Sequence, residues 1–276
     1  MSKPRPARRG RPPRRGSTPG PRGLGGEQVE GRQAVAELLA ARRRRVVDVW
    51  VDADAPPAPV LIRIADLAER AGVPVRRVGG PRLAAEARTE SPQGVLAHAR
   101  PLPEADLDEL CRPLRSGHAG RAEEAFLLAL DGVTDPQNLG GLLRTAEGAG
   151  VTGAILPRHR AVHVTPAVTK AAAGAVEHVP LALVGGLPAA LARARESGVW
   201  VVGLDPDADE SLYDLGVADQ PVAVVLGAEG RGLSRLVRER CDVLVGIPLR
   251  GRIPSLNVAA AGALALFEVS RRRGAR

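Results

Sequence analysis

The chain has 276 residues, a net charge of +8 and 44% hydrophobic residues, enough apolar material for a real core and room for two ordinary domains. Aromatic residues are only 2% of it, so the core must be aliphatic, and the stacking platform that single-strand RNA binders use is hardly available. No apolar run nears the roughly 18 residues of a membrane helix, and Cys111 and Cys241 lack metal-ligand spacing, which leaves two reduced thiols of a cytoplasmic protein.

Residues 1–26 hold the basic side chains Lys3, Arg5, Arg8, Arg9, Arg11, Arg14, Arg15 and Arg22 and no acid, so the charge is a tail on a formally neutral body. An arm of Arg, Pro and Gly cannot bury enough apolar surface to order itself, yet it can neutralise phosphates and release counterions. Biased composition explains why arginine replaces lysine (Lys3 and Lys170 are the two lysines), but not why acids are missing from one end. Contact with nucleic acid is the expected role of the arm. No apolar stretch follows it, so it does not read as a secretory signal.

After the arm, Ala34, Val35, Leu38 and Leu39 predict an amphipathic helix over 31–39, followed by a β-rich strand over 46–51. A second helix over 61–71, strands over 73–78 and 94–99, and a helix over 83–87 complete a small α/β unit spanning 27–100. Residues 101–124 shift to Pro, Gly and acids and read as a linker with one short helix near 105–110. From Phe126 the pattern alternates regularly. Strands are expected over 126–130, 153–156, 179–184, 199–204, 222–226 and 243–248, and helices over 139–149, 168–176, 187–197, 234–240 and 255–272. Near-continuous aliphatic strands between amphipathic helices argue for a mostly parallel sheet covered on both faces over 125–276. Such sheets bind ligands at the carboxyl ends of their strands.

Three polar motifs follow strands. In the first, Asp131-Gly132-Val133-Thr134-Asp135-Pro136-Gln137-Asn138-Leu139-Gly140, Asn138 is placed to cap a helix whose outer face carries Arg144, an ion-pair candidate for Glu147. In the second, Leu226-Gly227-Ala228-Glu229-Gly230-Arg231-Gly232-Leu233, three glycines let the backbone turn tightly or approach a ligand, and Glu229 sits where it is most open. This motif lacks the endings of a phosphate loop or a dinucleotide site. In the third, Ile247-Pro248-Leu249-Arg250-Gly251-Arg252-Ile253-Pro254-Ser255-Leu256-Asn257-Val258-Ala259, Ser255 reads as the cap of the closing helix, Asn257 offers an amide that both donates and accepts, and Arg250 and Arg252 are phosphate contacts or solvated charges.

In this order and spacing the three motifs resemble those of the SpoU (TrmH) family of RNA ribose 2′-O-methyltransferases. The unit that opens with Gly31-Arg32 and closes with Gln93-Gly94-Val95 is similar to the small ribosomal-protein-like RNA-binding domain common in the branch that modifies 23S rRNA. The resemblance implies an α/β fold with a trefoil knot in the parallel-sheet domain, S-adenosylmethionine as cofactor, a homodimer with the site near its interface, and a guanosine of 23S rRNA as target. It places Asn138, Arg144, Glu229, Ser255 and Asn257 in the catalytic site, and Gly227, Ile247 and Leu256 around the cofactor. Arg144 would act on the 2′-hydroxyl, either as a base, which is demanding for a guanidinium, or by holding the neighbouring phosphate. Asn138, Ser255 and Asn257 would orient the ribose or Arg144, and Glu229 would fix the arginine or the loop. Pro254 stands where relatives often have a small polar residue, and Pro92 where many have His. A tRNA target, a resistance-type rRNA methylase, and a non-catalytic ribosome-assembly protein are the rival readings.

Overall fold

The computed structural model describes residues 23–115, 122–158 and 163–274, and the eight basic side chains of the arm lie outside them. The first sheet is built from β1 (Gln28–Glu30), β2 (Val46–Asp52), β3 (Val75–Val78) and β4 (Val95–Ala99). Its strand order is β1-β4-β2-β3, antiparallel except for the β2–β3 pair. Helices α1 (Arg32–Ala41) and α2 (Pro59–Arg70) bury Val35, Leu38, Leu39 and Ile64 against Val49, Val95 and Ala97, each large side chain contributing about 1.5–3 kcal/mol. Helix α3 (Gly80–Glu86) seats Leu83 beside Val78 and Leu96.

Strand β1 has no counterpart among the expected strands, because two of its three residues are polar. Gln28 and Glu30 are nevertheless buried. The Glu30 carboxylate accepts hydrogen bonds from Gln28 Nε2, Arg88 N, Thr89 N and the Thr89 hydroxyl, which stands in for the lost hydration.

The segment 101–124 does more than link. Helix α4 (Leu107–Leu110) is capped by Asp106, and Leu102, Leu107 and Leu110 are buried. Glu104 forms a parallel bridge to Leu181, so this stretch runs along the edge of the second sheet. Strands β5 (Leu114–Arg115) and β6 (Ala122–Glu123) pair with each other. Residues 23–26, grouped with the arm by composition, are also placed: Leu24 is buried and Gly25 pairs with Val164.

The second sheet contains β7 (Phe126–Asp131), β8 (Gly153–Pro157), β9 (Leu181–Val184), β10 (Trp200–Leu204), β11 (Glu210–Ser211), β12 (Val222–Gly227) and β13 (Val243–Gly246). Its order is β11-β13-β10-β12-β7-β8-β9, and every pair is parallel. Successive side chains point to opposite faces: Phe126, Leu128 and Leu130 enter one core cluster, Leu127 and Ala129 the other. Helices α5 (Pro136–Gly148), α6 (Pro166–Ala171) and α9 (Val258–Gly274) belong to the first face, and α7 (Leu187–Glu196) and α8 (Arg235–Arg238) to the second.

Two helices differ from expectation. The helix expected over 168–176 breaks after Ala171, with Ala173 and Gly174 at positive φ and a 3-10 turn at Ala175–Glu177. There α1 comes so close that a Cβ on Gly174 would sit 2.6 Å from the Glu37 Cβ. The closing helix begins at Val258 and not at Ser255. It lies flat on α5 and β12, since a Cβ on Gly262 would meet Leu142 Cδ2 at 2.3 Å and Leu226 Cδ1 at 2.7 Å. Arg272 and Arg273 donate to backbone carbonyls of Tyr213, Leu215, Ala218, Gln220, Glu124 and Ala125, fastening its carboxyl end.

The two sheets are joined by a buried ion pair. Arg44 donates to Glu177 at 2.6 and 3.0 Å and to the carbonyls of Gly26 and Arg100, both at 2.6 Å.

Candidate active site

The site is assembled where β7, β12 and β13 end. Strand β7 delivers Asp131, whose carboxylate accepts the backbone N–H of Ser234 at 2.6 Å and so ties the first motif to the end of the second. Gly132 then turns the chain at φ +77 toward α5. The cap of α5 is Asp135, which accepts the N–H of Asn138 at 2.8 Å, and Pro136 occupies its first turn. Asn138 is therefore not the cap that its position suggested. Its side chain is free for another contact, and it makes one.

In the second motif, Gly232 N donates to Ala228 O at 2.9 Å and closes a tight turn that puts Glu229 and Gly230 at its tip. Gly227 has no alternative to glycine: a Cβ there would lie 2.1 Å from the Gly232 carbonyl carbon and 2.4 Å from Leu233 N. In the third motif, Asn257 Oδ1 accepts the N–H groups of Ala259 at 2.9 Å and Ala260 at 3.3 Å. Asn257, not Ser255, caps α9. Ser255 lies two residues upstream of it, exposed and without a hydrogen-bond partner among the described residues.

The amide of the same residue joins the motifs. Asn257 Nδ2 donates to Asn138 Oδ1 at 3.0 Å and to Glu229 Oε1 at 2.8 Å. One side chain thus uses its acceptor to hold a helix and its donors to hold a residue from each of the other two motifs. The carboxylate at Glu229 makes its contact a charge-assisted one.

Arg144 stands on the solvent face of α5, and neither Glu147 nor Glu229 pairs with it; no hydrogen bond or ion pair involves its side chain among the described residues. Glu229 fixes the third loop and not the arginine. Gly141 and Gly148 lie under Ala259 and Phe267 of α9, and Gly140 is pressed on α6, where a Cβ would sit 2.4 Å from the Ala171 Cβ. Arg144 rises from α5 between these two contacts.

Gly227, Ile247 and Leu256 lie on the three segments that border the assembled polar group. Residues 249–256 donate no hydrogen bond among the described residues, while Leu249, Ile253 and Leu256 expose apolar surface, Ile253 to 75%. Open backbone donors and acceptors beside aliphatic side chains suit a nucleoside, which has polar edges and flat apolar faces. The described residues contain no His, Cys, Asp and Glu grouping that could hold a metal ion. Cys111 and Cys241 are unpaired, and burial pushes their thiols up to about 11 and about 12.

Asp131 and Asp135 carry structural weight that the sequence did not assign to them. The signal was an acid at the end of a strand and an acid before Pro136. Which residue each would hold depends on a loop 103 positions away in one case.

A family model described as SpoU rRNA methylase family matches residues 125–267, and one described as RNA 2′-O ribose methyltransferase substrate binding matches residues 28–105. The chain is 40% identical over 251 residues to the 23S rRNA (guanosine-2′-O-)-methyltransferase RlmB of Shewanella oneidensis, covering 89% of this chain and 97% of that one. It is 37% identical over 256 residues to the protein of the same description in Photobacterium profundum, covering 91% and 99%. Among solved structures it resembles the AdoMet-bound rRNA methyltransferase from Sinorhizobium meliloti, with a TM-score of 0.71 and 25% identity over 89% of this chain and 87% of that one.

Proposed function

The chain belongs to the SpoU rRNA methylase family, and from that premise we propose that it methylates the ribose 2′-hydroxyl of a guanosine in 23S rRNA. It is an RNA 2′-O-ribose methyltransferase that uses S-adenosylmethionine. The guanosine of 23S rRNA is the target named for the two bacterial relatives. The observation that carries the reading is the bridge from Asn257 to Asn138 and Glu229, which brings polar residues of all three motifs together at the carboxyl end of a parallel sheet.

S-adenosylmethionine supplies an electrophilic sulfonium methyl group, so the work left to the protein is binding, aiming and handling one proton. The open backbone and apolar side chains of 249–256, with Gly227, Ile247 and Leu256 at the border, suit its adenosine and methionine parts. Asn138, held by Asn257, orients the ribose. Ser255, exposed and without a partner among the described residues, is free to bond to RNA. Arg144 holds the phosphate beside the target ribose, and its charge favours loss of the hydroxyl proton to solvent. Its exposure and freedom from carboxylates support that anchoring role over one as a base.

Three further features belong to the same reading. The return of the chain from β13, at the far side of β10, to α9 on α5 supports a trefoil knot. The exposed Leu264 and Phe267 on α9, beside the helix that carries Arg144, support a homodimer with the site at its interface. The two sheets support an RNA-binding unit over 27–100 and a catalytic unit over 125–276, while residues 23–26 and the segment 101–124 pack onto the second of them. No helix among the described residues is long and apolar enough to cross a membrane, and an rRNA substrate supports work in the cytoplasm.

The test is transfer of labelled methyl from S-adenosylmethionine to unmodified 23S rRNA, with the ribose mapped. One methylated guanosine is expected. A modified tRNA ribose would keep the chemistry and replace the substrate, and no transfer to any RNA would favour a ribosome-assembly role.

A further inference from the structure

We propose that a basic cleft at the carboxyl ends of α1 and α2 binds the phosphate backbone of the substrate RNA at a distance from the methylated ribose. This rests on the rRNA methyltransferase reading above and adds to it a second contact surface. The cleft has a volume of about 460 Å³ and is rimmed by Arg42, Arg45 and Arg70, with Val47, Val73 and Pro74 among its apolar lining.

The three arginines reach the cleft from two segments, the turn between α1 and β2 and the end of α2. Arg42 ends α1 in the left-handed conformation at φ +49, Arg45 precedes β2, and Arg70 is the last residue of α2. All three are exposed, no carboxylate lines the cleft, and none of the three side chains has an ion-pair partner among the described residues. Some exposed arginines elsewhere are matched by acids, as in Arg158–Glu104, Arg193–Asp108, Arg195–Asp242 and Arg238–Asp205, while others, such as Arg144, Arg240 and Arg250, stand singly without an ion pair among the described residues. What distinguishes this place is that three such arginines converge on one cleft whose lining holds no carboxylate.

The neighbours hold the patch in place. Within the run Arg42–Arg45, the two middle residues turn inward: Arg43 donates to Val179 O and Arg44 is locked to Glu177 and two carbonyls. Their flanking residues are thereby presented outward on a rigid turn, and preorganised cations lose little entropy on binding. Guanidinium groups recognise phosphate with paired N–H donors, and the aliphatic floor accommodates ribose between successive phosphates. The cleft lies on the first unit next to its junction with the catalytic one, where Arg43 and Arg44 meet Val179 and Glu177.

The experiment uses the full chain with Arg42→Gln, Arg45→Gln and Arg70→Gln together. Affinity for unmodified 23S rRNA made in vitro is measured across salt concentrations, and methylation of the same RNA is followed alongside. The expected result is a log–log salt slope shallower by about 2–3, at about 0.7–0.9 per lost phosphate contact, and a KM for RNA raised about tenfold with kcat unchanged. Arg195→Gln and Arg235→Gln, on another face, should leave the slope as it is. An unchanged slope in the triple variant overturns the proposal, as does a shallower slope with an unchanged KM. If the triple variant does not fold, the three single variants carry the same test at about one unit of slope each. Failure of the wild-type protein to methylate any RNA would instead sink the functional reading, and the binding slopes would still decide on the cleft.

Discussion

Asn257 Nδ2 lies 3.0 Å from Asn138 Oδ1, although 119 residues separate them in the chain. The same amide group donates to Glu229, while its oxygen caps α9. These two duties can be taken apart by substitution. Asn257→Asp keeps a good cap but loses the donor and sets a carboxylate against Glu229. Asn257→Ala loses both. Methyl transfer should fall at least about a hundredfold in each, the scale of losing one preorganised group. Only the alanine variant should also lose about 1 kcal/mol of cap stability. Near-native turnover in Asn257→Asp would show that the bridge is dispensable.

Arg144 has no protein partner to lose among the described residues, so Arg144→Ala should leave the unfolding free energy within about 0.5 kcal/mol of wild type, as for an ordinary surface change. It should abolish turnover while S-adenosylmethionine binding stays intact. Arg144→Lys refines the assignment. A phosphate anchor keeps part of its function as a point charge, so the lysine variant should retain measurable activity with a raised KM for RNA. Full loss in the lysine variant would mean that the paired guanidinium geometry, and not charge, is what the site requires.

The sequence disclosed the catalytic unit well because its strands are runs of aliphatic residues with little else in them, such as Phe126-Leu127-Leu128-Ala129-Leu130. It disclosed less where polar residues are buried or where capping is decided by tertiary contacts. Gln28 and Glu30 break every strand pattern, yet β1 forms because Arg88 and Thr89 come from 58 and 59 positions away to satisfy the carboxylate. Ser255 and Asn257 are both acceptable caps on local grounds. The choice falls to Asn257 because Asn138 and Glu229 wait for its amide. The same holds for Asp135 and Asn138: the local rule identifies a cap nearby, and the distant partner selects which residue is spared for the site.

Gly227 illustrates a glycine required by space. Its missing Cβ leaves room for the backbone of Gly232 and Leu233, which cannot move as a flexible side chain would. Gly227→Ala should push the second motif's turn away from β12 and weaken S-adenosylmethionine binding more than tenfold, read by calorimetry. The cost in stability should be about 1–3 kcal/mol, the range for overpacking. Unchanged cofactor affinity would detach this turn from the cofactor site.

Arg44 and Glu177 are almost wholly buried, with side-chain exposures of 3% and 1%. Removing one partner of such a pair leaves a charge without compensation and typically costs about 3–5 kcal/mol. Glu177→Gln should therefore lower the melting temperature sharply, whereas a double change of Arg44→Met with Glu177→Leu should recover much of the loss. Additive effects of the two changes would mean that the residues act separately.

Glu268 is buried on α9, and the guanidinium groups of Arg271 and Arg272 hold its carboxyl down at about 2, against burial that acts the other way. A carboxylate depressed in the folded state stabilises that state above its unfolded pKa, roughly 4.3 for glutamate. This contribution disappears as pH falls toward the folded value. Glu268→Gln should thus melt below wild type at pH 7, by about 1–3 kcal/mol for losing hydrogen bonds to a charged group. The gap should begin to close below roughly pH 4.3 and vanish near pH 2. Thermal melts across that window test both the sign and its place. A gap that is constant with pH would mean that packing at the end of α9, and not the ionised pair, is what the substitution removed.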